Sequence, residues 1–401
     1  MKRTVLLVPL LLGLLSFAAA DELTPGRYRV SGTEPGWGSY TGEVVVEGSA
    51  RRQRYAGAVR WADGRPGAVR GTVFVNSFGS LVSERLTKGG GMTGALAGTA
   101  DTRSRVGSLA GPLGNRAETA FAQAGRRGSW RQLSRRVTVR VLSFNILGFK
   151  SDWLSRAGRV AKVIRDARPD VVAFQEVLGQ SRGRSAQINS LAKRSGGFRT
   201  RFEGYRKYSW LGPWMGNAVI SRWKIEAFQR VPLSSGGKGI ENDYPRGATW
   251  ARIAHPSGAR IDVGSVHLHH RHDSGLDDDL RVKQVREAKD AFVRRGSALR
   301  LLVGDYNARP NSPTVRTMKD AGWRDLWVEA RPNDPGYSAS VLGGRSPKRI
   351  DYVFAKPRAG SDVEALSART FGPRTRGDSG DLVSDHKAVL VVLALDVPVG
   401  P

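Results

Sequence analysis

Val137-Thr-Val-Arg-Val-Leu-Ser-Phe-Asn145 opens a stretch in which the hydrophobic period changes twice, and that change sets the fold class. β-Branched and apolar residues dominate these positions, so they predict a strand. From Trp153 to Ala167 the apolar residues recur at helical spacing and stop before Pro169, whose ring and missing N–H end a helix. Asp170-Val-Val-Ala-Phe-Gln-Glu176 then reads as a second strand. Strand, helix and strand in succession mark an α/β scaffold.

Further along lie Asn217-Ala-Val-Ile-Ser221, Ala248-Thr-Trp-Ala-Arg-Ile253, Ile261-Asp-Val-Gly-Ser-Val-His-Leu268, Leu301-Leu-Val-Gly-Asp305, Arg349-Ile-Asp-Tyr-Val-Phe354 and Val389-Leu-Val-Val-Leu-Ala-Leu395. Many are apolar on both faces, as strands between two layers must be. Asp277 to Arg295 is expected to be a helix, with acidic residues at its start and Arg294-Arg295 at its end complementing the helix dipole.

Upstream of Val137 the pattern differs. Met1-Lys2-Arg3, an apolar run from Val5 to Ala20 and Asp21-Glu22 after it read as a cleaved secretory signal over residues 1–20, which implies export to the periplasm or medium. No later segment approaches the length of a membrane span, so stable membrane insertion is not expected. Residues 21–100 alternate short β-favouring runs with glycine and predict a small antiparallel β-domain, a barrel or a sandwich, whose Tyr and Trp form its core. Residues 101–136, with Arg126-Arg127 and Arg135-Arg136, read as a basic linker with a short helix near Ala117 to Ala124, and residues 137–397 as the catalytic domain.

The chain has 401 residues, 40% of them hydrophobic, enough for large cores. The absence of Cys excludes a thiol nucleophile, a disulfide framework and any thiolate metal site. With 64 Lys and Arg against 36 Asp and Glu the net charge is +28, which favours polyanionic partners, nucleic acid first among them.

Polar residues recur at the C-terminal ends of the strands, where an α/β scaffold gathers side chains into one cleft. They are Asn145, Glu176, His267, Asp305 with Asn307, Asp351, and Asp385 with His386. Strand alternation puts Ile261, Val263, Ser265 and His267 on one side. The same rule puts Asp305 and Asn307 together if the strand continues through Tyr306.

In order along the chain, Ser143-Phe-Asn-Ile146, Phe174-Gln-Glu-Val177, Gly216-Asn-Ala-Val-Ile-Ser-Arg222, Val266-His-Leu268, Gly304-Asp-Tyr-Asn307, Arg349-Ile-Asp-Tyr-Val353 and Ser384-Asp-His386 resemble the endonuclease/exonuclease/phosphatase superfamily, the fold of deoxyribonuclease I. The resemblance spans about Val137 to Leu395 and implies a four-layer α/β sandwich, two mixed sheets flanked by helices. It further implies that Glu176 is the principal metal ligand, that Asn145 orients or supplements the metal site, and that Asp385 adds a carboxylate. Asp305 would orient or deprotonate water, Asn307 would contact the scissile phosphate, and Asp351 would hold His386 as a cation. His386 and His267 would donate to phosphate oxygens, with Asn217 and Arg246 near the substrate.

A phosphodiester repels nucleophiles, so its hydrolysis calls for charge neutralisation, in-line positioning and an activated water. Carboxylate and amide oxygens suit Mg²⁺ or Mn²⁺, with Ca²⁺ a further candidate. The tract His267-Leu-His-His-Arg-His272 carries a weaker zinc reading. The expected function is a secreted, divalent-metal-dependent phosphodiesterase acting on extracellular DNA or RNA. The alternatives are a sphingomyelinase-like enzyme acting on a lipid phosphodiester, for which Trp210 to Trp214 would be the membrane-touching loop, another phosphoesterase of the same fold, and a non-catalytic polyanion-binding protein.

Overall fold

The computed structural model describes residues 25–34, 36–49, 52–76, 79–89, 101–108, 118–123, 126–149, 153–207, 212–235, 245–271, 275–291, 293, 296–339, 347–372 and 383–399. The signal segment, Trp210, His272 and the expected strand Gly94 to Gly98 lie outside these. The chain divides into two compact units, with the boundary between Arg136 and Val137.

In the first unit β1 (Gly26–Glu34), β2 (Gly38–Ser49), β3 (Arg52–Trp61), β4 (Pro66–Asn76), β5 (Gly79–Lys88) and β6 (Asp101–Ser108) pair antiparallel in chain order. The first half of β8 (Arg126–Asn145) pairs with β1 on one side and with β7 (Glu118–Gln123) on the other. Alternating residues turn inward: Tyr28, Val30, Tyr40, Val44, Val46, Tyr55, Val59, Trp61 and Val69 form its core. The Trp37 and Trp61 rings meet edge to face, 5.3 Å between centroids. The described residues between 101 and 136 therefore differ from the linker reading, since they form β6, β7 and the start of β8, and within the expected helix at Ala117 to Ala124 residues Glu118–Gln123 are the strand β7. The weak local apolar pattern there is overridden by ladder pairing of β6 with β5, of β7 with the adjoining β8, and of β8 with the distant β1, which propensity does not register.

Among the described residues the second unit has two sheets of six strands. One runs β10 (Arg199–Lys207), β11 (Trp214–Ser221), β9 (Val171–Gly179), the end of β8, β19 (Ala388–Pro398), β18 (Asp362–Phe371). The other runs β12 (Lys224–Leu233), β13 (Arg246–Ala254), β14 (Arg260–His267), β15 (Leu299–Asp305), β17 (Asp351–Pro357), β16 (Arg324–Asp325). Both are mixed: β8 and β9 are parallel, as are β14 and β15, whereas β11 pairs antiparallel with β9 and β10, β13 with β12 and β14, β17 with β15 and β16, and β18 with β19. Period-2 alternation sorts each strand between two cores. Val139, Val141, Val171 and Ala173 face Val263, Leu301, Val303 and Val353 in the core between the sheets. Leu142, Phe144, Val172 and Phe174 instead pack under α1 (Trp153–Ala167) and α2 (Ala186–Arg194). Leu302, Val266, Tyr352 and Phe354 pack under α3 (Gly275–Asp290) and α4 (Pro313–Asp320), and a short α5 (Leu326–Ala330) follows β16. This is the expected four-layer sandwich. Helix α3 ends at Asp290, before Arg294-Arg295, so Lys289 is the basic residue of its last turn.

Arg349, just before β17, pairs bidentately with Asp325 at 3.1 and 2.9 Å, the two side chains being 5% and 3% exposed. Asp325→Ala leaves that guanidinium buried without its counter-charge. The expected cost is about 3–5 kcal/mol in a denaturant titration; a loss below about 1 kcal/mol, the range of an exposed pair, would contradict it.

Candidate active site

Three of the chemistry-bearing residues sit side by side because the ladder aligns them. In the register of the second sheet His267 is paired with Asp305 and Asp305 with Asp351, at the ends of β14, β15 and β17. Asn145 ends β8 in the other sheet, opposite Gln175 of β9. The sheets are tied at this end by Gln175, whose Nε2 donates to Ser265 Oγ at 3.0 Å, while Ser265 Oγ donates to the Phe174 carbonyl at 2.8 Å.

Glu176 is aimed by a break in the ladder. Gln175 and Glu176 together oppose Asn217, and Glu176 has φ +54°. The extra residue bends β9 and turns the carboxylate, at a backbone cost of about 1–3 kcal/mol. Gly304, before Asp305, has φ +146°, and a Cβ there would stand 2.0 Å from the Val266 carbonyl oxygen. Only glycine lets β15 approach β14 closely enough to set Asp305 beside His267.

Asn145 Nδ2 donates to Glu176 Oε1 at 3.0 Å and to Asp305 Oδ2 at 3.2 Å, while its Oδ1 accepts the Leu147 N–H at 3.1 Å. One lone pair of that oxygen is committed to the backbone. Asn145 thus orients the two carboxylates, one of the two roles expected of it, and the second lone pair of its Oδ1 is open to a cation. Asp305 Oδ2 lies 3.5 Å from His267 Nε2 and 3.7 Å from His386 Nε2. Strand β15 ends at Asp305, so Asn307 arrives by a turn and not by strand alternation. Asn307 has φ +48°, its N–H donates to Asp305 Oδ1 at 2.9 Å, and its Nδ2 donates to the Leu268 carbonyl.

His386 Nδ1 and Asp351 Oδ2 are 2.8 Å apart, and Ser338 Oγ donates to the same carboxylate oxygen at 2.6 Å. Burial opposes charge on His386, but the Asp351 and Asp305 carboxylates outweigh it and hold its pKa well above the ordinary value. His386 is the cation of the site, with Nε2–H facing the cleft. His267 is its opposite. Arg246 Nη1 lies 3.0 Å from His267 Nε2, and Nη2 lies 2.9 Å from His270 Nδ1. A guanidinium only donates, so His267 Nε2 accepts here. Burial first, then the Arg246 charge, push the His267 pKa well down. Of the expected donation from His267 to phosphate, Nε2 has no part in this arrangement, because it meets Arg246, which carries the positive charge beside a neutral ring.

Asn217, expected near the substrate, is 2% exposed, and its Nδ2 donates to the Gly247 and Ser265 carbonyls at 2.8 and 3.3 Å. It joins β11 to the second sheet opposite the Glu176 bulge, because two strand carbonyls meet it before any ligand can. The histidine tract disperses: His269 pairs with Asp277 at 2.7 Å and His270 with Arg246, so these ring nitrogens do not converge on one zinc. Trp214, at the start of β11, packs against the core under α1 and α2.

A metal site fits one part of this arrangement. Glu176 Oε2 is buried and has no hydrogen-bond partner. Burial, and next the Asp385 carboxylate, raise its pKa, an electrostatic deficit that a hard divalent cation would offset. Glu176 and Asp385 would be the oxygen donors for it. Asp305, Asp351 and His386 also cluster, with ligand atoms within 4.8 Å of one another, but His386 supplies the positive charge of that set.

Two supporting residues carry no sequence signal. Ser338 meets Asp351 from 13 residues away. Arg156 of α1 is fully buried and donates to the carbonyls of Ile146, Leu147 and Val383, clamping the segments that follow Asn145 and precede Ser384. A helical Arg in an amphipathic pattern reads as surface, and only its long-range acceptors distinguish it.

Residues 142–386 match the sequence profile of the endonuclease/exonuclease/phosphatase family. The chain belongs to this family. A Drosophila melanogaster protein named "Putative neutral sphingomyelinase" is 27% identical over 286 residues, 64% of this chain and 61% of that protein. A Mycobacterium bovis protein named "Sphingomyelinase" is 25% identical over 153 residues, 36% of this chain and 30% of its own length. The chain thus spans less than two thirds of these relatives. Among solved structures, an endonuclease/exonuclease/phosphatase from Beutenbergia cavernae superposes with TM-score 0.52 and 24% identity, over 64% of this chain and 71% of that one. A family member from Bacteroides thetaiotaomicron gives TM-score 0.52 at 18% identity, over 65% and 98%. Both share the fold of the second unit.

Proposed function

We propose that this protein is an exported, divalent-metal-dependent phosphodiesterase whose substrate is nucleic acid, DNA foremost. The observation that carries the reading is the convergence of Glu176, Asp305 and His267 with the cationic His386, each within 4.0 Å of another of the set. Asp305 is the one carboxylate that faces both imidazoles. Burial raises its pKa, although the His386 charge opposes this, so it can accept a proton from water held at Oδ2. His386 donates from Nε2–H to a phosphate oxygen, and Arg246, beside neutral His267, supplies a second positive charge as negative charge builds. Mg²⁺ or Mn²⁺ at Glu176 and Asp385 would neutralise the phosphate when bound. A purely polyanion-binding role fits poorly, because buried carboxylates facing a phosphate oppose its binding unless a cation is present.

The charge of +28 favours a polyphosphate chain. Export is inferred from the basic start, apolar run and small residues of positions 1–20. The names of the curated relatives make a choline-type lipid phosphodiester the second reading. Among the described residues no helix is long and apolar enough to cross a membrane.

The test is hydrolysis of supercoiled plasmid and of sphingomyelin vesicles with Mg²⁺, with Mn²⁺ and with chelator, beside Glu176→Gln. Plasmid nicking that chelator abolishes and Glu176→Gln reduces at least about 100-fold is the expected result. Vesicle hydrolysis with intact plasmid would move the substrate to lipid; nicking that persists in chelator would refute the metal requirement.

A further inference from the structure

We infer that the nucleic-acid strand flanking the scissile phosphate lies in a cationic groove centred on Tyr337, beside the Asp351–His386 pair; this rests on the nuclease reading above and names a binding surface for it. Two clefts, of about 360 and 330 Å³, share Tyr337 and Asp334 in their linings. Arg309 and Lys348 line the first and Lys387 the second. Each is joined to the site by the chain or the backbone. Arg309 follows Asn307 by two residues and Lys387 follows His386 directly. The Lys387 N–H donates to the Ser338 carbonyl at 2.7 Å, and Ala339 bridges to both Lys348 and His386. Tyr337 immediately precedes Ser338, the residue whose hydroxyl holds Asp351.

The charge balance of the groove points to a polyanion. Among the described residues none of Arg309, Lys348 and Lys387 forms an ion pair, and all three line the two clefts that meet at Tyr337. The one carboxylate at the junction, Asp334, lies 3.4 Å from Arg331 and is offset by it. Cations left uncompensated around a cleft raise the local concentration of phosphate chains. The Tyr337 ring is 46% exposed between the two cationic clefts, where an unstacked base can lie on it while neighbouring phosphates meet the cations. A lipid with one phosphate would fill the hydrolytic site and leave these charges without partners.

Binding of a fluorescein-labelled single-stranded oligonucleotide, followed by anisotropy in chelator across a salt series, tests the groove without turnover. The variants are Arg309→Gln/Lys348→Gln/Lys387→Gln, Tyr337→Ala, and Lys224→Gln as an exposed control on β12. The triple variant is expected to weaken binding at least about 30-fold and to flatten the log–log salt slope by about 2, one contact per cation. Tyr337→Ala is expected to weaken it about tenfold. Affinity and slope equal to those of Lys224→Gln would overturn the groove. So would a loss confined to phosphatidylserine vesicles with oligonucleotide binding intact, which would assign the cations to a membrane surface. Plasmid cleavage by the unaltered protein is read in parallel: nicking with unaffected binding in the variants removes the groove and keeps the nuclease, whereas groove-dependent binding without cleavage keeps the groove and removes the nuclease.

Discussion

Asp305→Asn is expected to lower kcat for phosphodiester hydrolysis by about 1,000-fold, close to 4 kcal/mol in barrier height, with KM changed only a few-fold. The substitution is nearly isosteric, and the new side-chain oxygen can still accept the Asn307 N–H that Asp305 Oδ1 accepts now. What disappears is the charge between the His267 and His386 rings, at 3.5 and 3.7 Å, and the proton acceptor it provides. Loss of kcat with retained KM marks an interaction made in the transition state. Steady-state kinetics beside circular dichroism of the variant decide it; a decrease smaller than tenfold in a folded variant would remove Asp305 from the role of base.

The second large effect concerns the Asp351–His386 pair. Asp351→Asn and His386→Ala should each reduce kcat by about 1,000-fold, and the double variant should lose no more than the worse of the two, because the residues act as one unit. The geometry states why. Asp351 fixes the His386 ring through Nδ1 at 2.8 Å and holds it charged against burial. With Asp351 neutral the His386 pKa falls, so the alkaline limb of the pH–rate profile of Asp351→Asn should move to lower pH. Multiplicative losses in the double variant, or an unmoved alkaline limb, would show that the two residues work separately.

The fold of the second unit was legible in local patterns. Val137 to Asn145 and Asp170 to Glu176 alternate or run apolar because each strand is covered on both faces, and burial of that kind writes itself into every position. The site was legible as a set of residue types at strand ends, since Glu176, His267, Asp305, Asp351 and His386 do meet. Their roles were less so. Asn217 and Asn145 have the same side-chain chemistry, yet one amide joins strand carbonyls and the other orients two carboxylates. His267 and His386 are both buried, yet one ring sits against a guanidinium and the other against carboxylates, and their pKa values move in opposite directions.

The sequence by itself determined the two-layered strand pattern, the boundary near Val137, the acidic and imidazole groups available for chemistry, and a charge suited to polyanions. Only the tertiary structure decided that the described residues between 101 and 136 are strands, that the backbone bulges at Glu176, that Arg246 sits between two histidines, and that Ser338 and Arg156 hold the site from outside its motifs. The division has one physical cause. Burial and backbone period act on neighbours along the chain and leave a repeating trace. Hydrogen-bond partners, tautomers and shifted pKa values depend on groups that meet only after the two sheets have closed on each other.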